Sequence, residues 1–450
     1  METEKYVKNL IIGFGKGGKT LAAFLAKRGE TVALVEQSAN MYGGACINIA
    51  CIPTKSLIVE AEKGLDYPRA HEIKELLTAT LRQTNYEKLT GLENAEVITG
   101  QATFSSPHKV TIQLAAGGQT RVEAERIFIN TGSQSAIPPI EGMDSEKVFT
   151  SAALIAQNGR PEKLVIIGGG FIGLEFADMF AKFGTEVTVL DRRTRFLPDE
   201  DDDIASELFK ILAGKSINLL SGVDVEKVEE GNAGSVNVYF MQNGQRQSVS
   251  ANAVLLATGR KPNTDDLNLT AAGIQTDEKG YIQVDDQLKT NVPHIWAIGD
   301  CNGGPQFTYI SLDDFRIIRN QLAGKDRYTS LNDRPPFPTC VFVTPPMAQA
   351  GLREREAREQ GYDVKVFKIP ASAIPKAAIL NERRGLLKAV VDAKTDRILG
   401  CTLCCAEAHE MINTVQLAIH AEVSYHVLAN MIFTHPSMTE ALNDLFVSPV

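Results

Sequence analysis

"KNLIIGFGKGGKTLAAFLAKRGETVALVEQ", residues 8–37, decides how this chain folds. Apolar residues lead into Gly13, Gly15 and Gly18, then a helix-period run of Leu21, Leu25 and Ala26, then a second apolar strand closed by Glu36, twenty-three residues after Gly13. The glycines let a tight turn form and let a pyrophosphate approach the helix N-terminus, while the acid receives the hydroxyls of a ribose. "EKLVIIGGGFIGLEFADMFAKFGTEVTVLDRR", residues 162–193, repeats the order with Gly168, Gly170, Gly173 and Asp191 at the same spacing. Two copies predict two dinucleotide sites on an α/β framework of Rossmann-like units.

Asp191 favours the free ribose of NADH, whereas Arg192 and Arg193 beyond it suit the extra phosphate of NADPH. Repulsion between an acid and a phosphate tilts the reading slightly toward NADH, with either nucleotide left open. Three more glycine punctuations follow apolar runs: "RIFINTGS" with Thr131 and Gly132, "AVLLATGRKPN" with Gly259, and "HIWAIGDCNGG" with Gly299 and Asp300. An aspartate ending a buried strand accepts from ligand hydroxyls, which the ribityl chain of FAD offers. Each of these, taken singly, also reads as a plain strand turn.

Around these stretches the 450-residue chain is 44% hydrophobic and 22% charged, enough apolar material for two or three domains. A formal net charge of −9 leaves no basic footprint for nucleic acid or an anionic membrane. No run of about 18 apolar residues appears, and the N-terminus enters a strand directly without a signal-peptide pattern, so the expectation is a cytoplasmic enzyme of small-molecule chemistry. The expected division is a first α/β domain over 1–150 and 271–330, a second over 151–270, and a third over 331–450 after the proline-rich "NDRPPFPT" at 332–339. That last region reads as strands plus the amphipathic helix "EAHEMINTVQLAIHA", an α+β unit with no fingerprint of its own.

Seven scattered cysteines are no secreted disulfide framework. "GGACINIACIPTKSL", residues 43–57, nevertheless sets Cys46 and Cys51 five positions apart. No second pair or nearby histidine completes a zinc set. Within one helix the two would lie about 140° apart, as core residues often do. If Cys46 instead sits in the turn entering the helix, with Gly43 and Gly44 as the entrance, the thiols approach and the helix dipole favours a thiolate there.

The order of first fingerprint, "GGACINIACIPTK", second fingerprint, "ATGRKPN", "IGD" and "THPSMTE" resembles the pyridine nucleotide-disulfide oxidoreductases across essentially the whole chain. The resemblance implies an FAD domain, an NAD(P)H domain and a dimerisation domain, with each active site of a homodimer completed by the other subunit. It makes Cys46 the interchange thiol that meets substrate and Cys51 the thiol against the flavin. Lys55 becomes the lysine near the flavin, Glu175 its acid partner, and His435 with Glu440 the pair that serves the other subunit's thiols. Ala45 and Ala50 depart from the threonine and glycine usual in the cysteine motif.

"AIPKAAILNERRGLLKAVVD", "AHEMIN" and "IFTHPSMTEALNDLF" are similar to the reactive-chlorine-resistance flavoproteins and the bacterial hypothiocyanous acid reductases. That implies an oxidant such as hypothiocyanous acid as acceptor, whose electrophilic sulfur suits a Cys46 thiolate. Cu(II) reduction is the competing enzymatic reading, and a lipoamide dehydrogenase-like disulfide reductase a further one. Mercuric reductases end in a vicinal cysteine pair, where this chain has "DLFVSPV". Cys401, Cys404 and Cys405 with His409 and Glu410 form a second cluster, but strand geometry would turn Cys401 and Cys404 to opposite faces, so no metal site is assigned. A redox-sensing flavoprotein is the reading from another class; no DNA-binding helix accompanies it.

Overall fold

The computed structural model describes residues 3–447 and Pro449 of an α/β chain with an α+β C-terminal part; Met1, Glu2, Ser448 and Val450 lie outside the described residues. Two compact units emerge, one from residues 1–136, 151–158 and 259–334, the other from 137–150, 159–258 and 335–450.

In the first unit the strand Thr3–Ile12 pairs in parallel with Val32–Glu36 on one side and Gln119–Ile129 on the other, with Leu10 opposite Ala33 and Ile127. Ala95–Phe104 extends the sheet in parallel beyond Val32–Glu36, and Ile295–Ala297 beyond Gln119–Ile129. The Val32–Glu36 strand is buried at every position. An unbroken apolar run fits a parallel strand covered on both faces, where alternation would waste one face. Helices Lys16–Lys27 and Thr308–Leu322 pack together over the sheet and bury Leu21, Leu25, Phe315 and Ile318 with Phe128 and Trp296. The helix Tyr67–Thr90 begins at Asp66, whose carboxylate caps the Arg69 N–H at 2.9 Å.

The second unit carries a five-stranded parallel sheet in the order Ile217–Ser221, Glu186–Asp191, Lys163–Ile167, Ala253–Leu256, Val148–Thr150. A three-stranded antiparallel sheet follows Ile217–Ser221, from Val223 to Ala251. Its remaining sheet is antiparallel, ordered Thr339–Val341, Met347–Gly351, Ile398–Cys404, Leu386–Asp392, Val364–Pro370. Helix Ala408–His420 covers it, burying Met411, Ile412 and Val415 against Leu403 and Ala350. Among the described residues no helix is long and apolar enough to cross a membrane.

Candidate functional site

Both glycine fingerprints fold as strand, turn and helix. Gly13 has φ +104°, and a β-carbon there would lie 2.3 Å from the Asn130 carbonyl oxygen, so both conformation and space require glycine. Gly168, at φ +112°, meets the Ala257 carbonyl oxygen in the same way at 2.3 Å. Gly15 caps the helix Lys16–Lys27 and Gly170 the helix Phe171–Lys182, and Gly18 and Gly173 sit inside their first turns.

At the first fingerprint, residues distant in sequence hold the loop. The Asn130 side-chain oxygen accepts the Gly18 N–H at 2.8 Å while its amide donates to the Ile298 carbonyl at 2.7 Å, and Ser311 Oγ accepts the Gly17 N–H at 3.1 Å. Glu36, 8% exposed, accepts the Phe14 N–H at 3.0 Å and the Ser38 N–H at 3.3 Å. Burial outweighs these bonds and raises its carboxyl above the ordinary range, so further donors would stabilise the carboxylate. Ribose hydroxyls would supply them. Thr131 Oγ1 is buried with no hydrogen-bond partner, and a β-carbon on the adjoining Gly132 would meet open space. Both features fit a polar ligand reaching this loop.

Gly299 and Asp300 open a 3₁₀ turn after Ile295–Ala297. Arg260 Nε donates to Ser133 Oγ at 2.7 Å, which donates to Asp300 Oδ2 at 2.6 Å. Asp314 Oδ2 accepts the Gly299 N–H at 2.7 Å, and Arg334 pairs with Asp313 and Asp314 beneath. The turn that would face the ribityl chain is therefore held by buried charge. These residues suit FAD.

At the second fingerprint a β-carbon on Gly170 would meet nothing within 4 Å, which leaves the backbone open to a pyrophosphate. Asp191 ends its strand, and Arg193 forks onto it from Nε at 3.1 Å and Nη2 at 2.8 Å. Arg193, read in the sequence as a partner for the NADPH phosphate, is committed to Asp191, while Arg192 is exposed. Gly259 belongs to the first unit, where its carbonyl accepts the Ala136 N–H at 2.9 Å.

The cysteine turn departs from the sequence reading in one respect. Cys46 lies inside a one-turn helix, Ala45–Asn48, and Cys51 is the first residue of the helix Cys51–Glu62. The thiol at a helix N-terminus is thus Cys51, not Cys46. Gly43 and Gly44 enter with φ +93° and +85°, and a β-carbon on Gly44 would lie 2.8 Å from Gly15 Cα, so the cysteine turn packs directly on the first fingerprint. Cys46 and Cys51 hydrogen-bond to each other, and that bond, with burial, holds the Cys46 thiol well above its ordinary range. Two thiols in contact resist carrying two charges at once. Thr308 Oγ1 lies 3.6 Å from Cys51 Sγ.

Lys55, half-buried, follows Cys51 by one helical turn. Glu175 is buried in the second unit, where it accepts the Phe342 N–H at 3.0 Å. His435 Nδ1 meets Glu440 Oε2 at 2.8 Å, which draws the glutamate below its ordinary range, and the imidazole is 72% exposed. Glu440 also accepts the Ser437 N–H at 3.1 Å, so the acid is held by a second bond. Cys401, Cys404 and Cys405 are buried in the antiparallel sheet and just past it, and burial pushes Cys404 up to about 12. Among the described residues no group of three or more His, Cys, Asp or Glu side chains is placed to hold a metal ion.

Sequence reading overlooked Asn130, Ser311 and Asp314, which act through contacts up to 294 residues apart. It also overlooked Lys19, whose Nζ donates to the Gly43 carbonyl at 3.0 Å. Arg260 stood within the quoted "ATGRKPN", the one signal that could have drawn attention to it.

Residues 7–314 match the pyridine nucleotide-disulphide oxidoreductase family, and residues 337–446 match its dimerisation domain. The chain is 45% identical over 438 residues, 97% of its length and 98% of the relative's, to the probable pyridine nucleotide-disulfide oxidoreductase RclA of Escherichia coli. It is 33% identical to a mercuric reductase of Staphylococcus aureus, over 96% of this chain and 80% of that protein. A solved structure described as the Cu(II) complex of HOCl-induced flavoprotein disulfide reductase RclA from Escherichia coli superposes with a TM-score of 0.95 at 44% identity, covering 99% of each chain.

Proposed function

The chain belongs to the pyridine nucleotide-disulphide oxidoreductases, and from that premise we propose that it reduces hypothiocyanous acid to thiocyanate at the expense of NADH or NADPH. The family uses FAD and a nicotinamide dinucleotide, and the chain is a flavoprotein disulfide reductase-type enzyme. The observation that carries the reading is the hydrogen-bonded Cys46–Cys51 pair packed on the first fingerprint. When bound, FAD supplies the two-electron link between reduced nicotinamide and the disulfide.

The chain's own residues then divide the work. Contact with Cys51 makes Cys46 a reluctant acid, so a base must take its proton. His435, oriented through Nδ1 by Glu440, leaves Nε2 for that task. The Cys46 thiolate attacks the sulfur of hypothiocyanous acid, forming an S–S bond and displacing hydroxide, which takes a proton and leaves as water. Cys51 attacks the Cys46 sulfur, closes the disulfide and expels thiocyanate. The two thiols have lost two electrons, which the nicotinamide restores. A half-buried Cys46 suits a small acceptor of this kind.

We place FAD on Gly13, Gly15, Gly18, Glu36, Lys55, Thr131, Gly132, Gly299 and Asp300, and the nicotinamide dinucleotide on Gly168, Gly170, Gly173, Asp191, Arg192 and Gly259. Three domains, over 1–150 with 271–330, 151–270 and 331–450, are proposed for the two nucleotides and the dimer contact. The proposed assembly is a cytoplasmic homodimer in which the partner subunit's His435 serves Cys46. Its support is the apolar surface of the dimerisation domain: Ile432 is 96% exposed and Leu417 67%. Cu(II) reduction stands as the second reading because the Escherichia coli relative was solved with Cu(II). Comparing kcat/KM for hypothiocyanous acid, Cu(II), oxidised glutathione and lipoamide tests the assignment. Hypothiocyanous acid is expected to exceed the others by at least about a hundredfold, and an equal or better rate with any of them would replace it.

A further inference from the structure

Lys19 stands one residue past the last fingerprint glycine, on the helix Lys16–Lys27, and is half-buried. Its Nζ donates to the Gly43 carbonyl at 3.0 Å, where the chain enters the cysteine turn. The groups that act on its charge are Lys16 on its own helix, Lys88 on the helix Tyr67–Thr90, and Cys46. Those that act on Cys46 are Cys51, Thr308 and Lys19 itself. Burial and the two like charges push the Lys19 ammonium down to about 8, and the Cys46 charge alone opposes them. An apolar side chain would fill this place without desolvating a cation. The amine is costly where it stands; the Gly43 carbonyl offsets part of the cost, and negative charge on Cys46, once it forms, would offset more.

We propose that Lys19 is a positioning residue of the redox pair, its ammonium fixing the Gly43 carbonyl at the mouth of the cysteine turn and stabilising negative charge on Cys46 when the disulfide opens. The inference rests on the reading of Cys46 as the thiol that meets the acceptor. Opening the disulfide takes two electrons from the nicotinamide and one proton, and leaves one thiol and one thiolate. Lys19 balances that thiolate within the same chain, alongside the base that handles its proton.

The test is the pH dependence of iodoacetamide alkylation in the reduced holoenzyme, with the modified cysteine located by mass spectrometry. Wild type is expected to be alkylated first at Cys46. Lys19→Met and Lys19→Gln are expected to raise the midpoint by about one pH unit, a roughly tenfold slower reaction below it. Lys19→Arg is expected to restore the wild-type midpoint. Glutamine retains a donor for Gly43 but no charge, so Lys19→Gln and Lys19→Arg decide the matter even if Lys19→Met does not accumulate. An unshifted midpoint in Lys19→Gln overturns the role of Lys19. Alkylation that begins at Cys51 in wild type overturns the Cys46 reading instead.

Discussion

Replacing Asp314 by alanine should loosen the turn that presents Asp300, although Asp314 itself has no place in the proposed cofactor site. The side chain is 1% exposed, and it accepts the buried Gly299 N–H at 2.7 Å while pairing with Arg334. A buried N–H stripped of its acceptor costs roughly 1–3 kcal/mol. Breaking a buried ion pair outright costs roughly 3–5 kcal/mol. Arg334 keeps Asp313 at 2.7 Å, so less than half of that second cost applies. The expected destabilisation is about 3 kcal/mol. In a cooperative unit of roughly 200 residues this lowers the melting temperature by about 6–12 °C. If half of the loss falls on the cofactor-bound form, FAD binds about tenfold more weakly. Thermal melts and fluorescence titration of the flavin read the two effects. Asp314→Asn, which keeps an acceptor for Gly299 and removes only the charge, should fall between. A variant that melts within 1 °C of wild type and retains its flavin would refute the idea that buried charge holds this turn.

Other consequences are narrower. Glu440→Gln should lower kcat/KM for the acceptor about ten- to a hundredfold, with anaerobic reduction of the flavin by NADPH unchanged, because the carboxylate orients His435 and lies outside the nucleotide chemistry. Since His435 holds Glu440 below the ordinary carboxylate range, the acid stays ionised as pH falls toward 4.5 and loses its role only beneath that. Direct titration of the Glu440 carboxyl by carbon-13 NMR that placed it above 4.5 would contradict this. Arg192→Ala should weaken NADPH about tenfold and leave NADH nearly unchanged, since Arg193 already neutralises Asp191. Equal losses for both nucleotides would remove Arg192 from phosphate recognition. Gly13→Ala should yield protein without flavin, because its β-carbon would meet the Asn130 carbonyl.

The two Rossmann-like units were legible because glycine spacing, apolar runs and a closing acid are local features. Gly13 and Gly168 mark their turns at matching places. The pairing of Cys46 with Cys51 was legible only as a possibility, since spacing alone left a helix face or a turn. A one-turn helix ending before Cys51 decides it, and such a boundary depends on the packing of Gly44 against Gly15. Asn130, Ser311 and Asp314 were not legible, because each acts on a backbone N–H that the fold alone brings near. Lys19 looked like one more charged residue on an amphipathic helix until its contact with Gly43 became visible. For Arg193 the sequence suggested only the NADPH phosphate, and the folded chain pairs it with Asp191 two residues away.

The central claim is that Cys46 carries electrons from reduced nicotinamide to hypothiocyanous acid. Following absorbance at 340 nm, in wild type and Cys46→Ser with limiting hypothiocyanous acid, tests it directly. Wild type should consume one nicotinamide per acceptor, and Cys46→Ser, with its flavin still reducible, should lose at least about a thousandfold in rate. Turnover of Cys46→Ser at the wild-type rate would contradict the account.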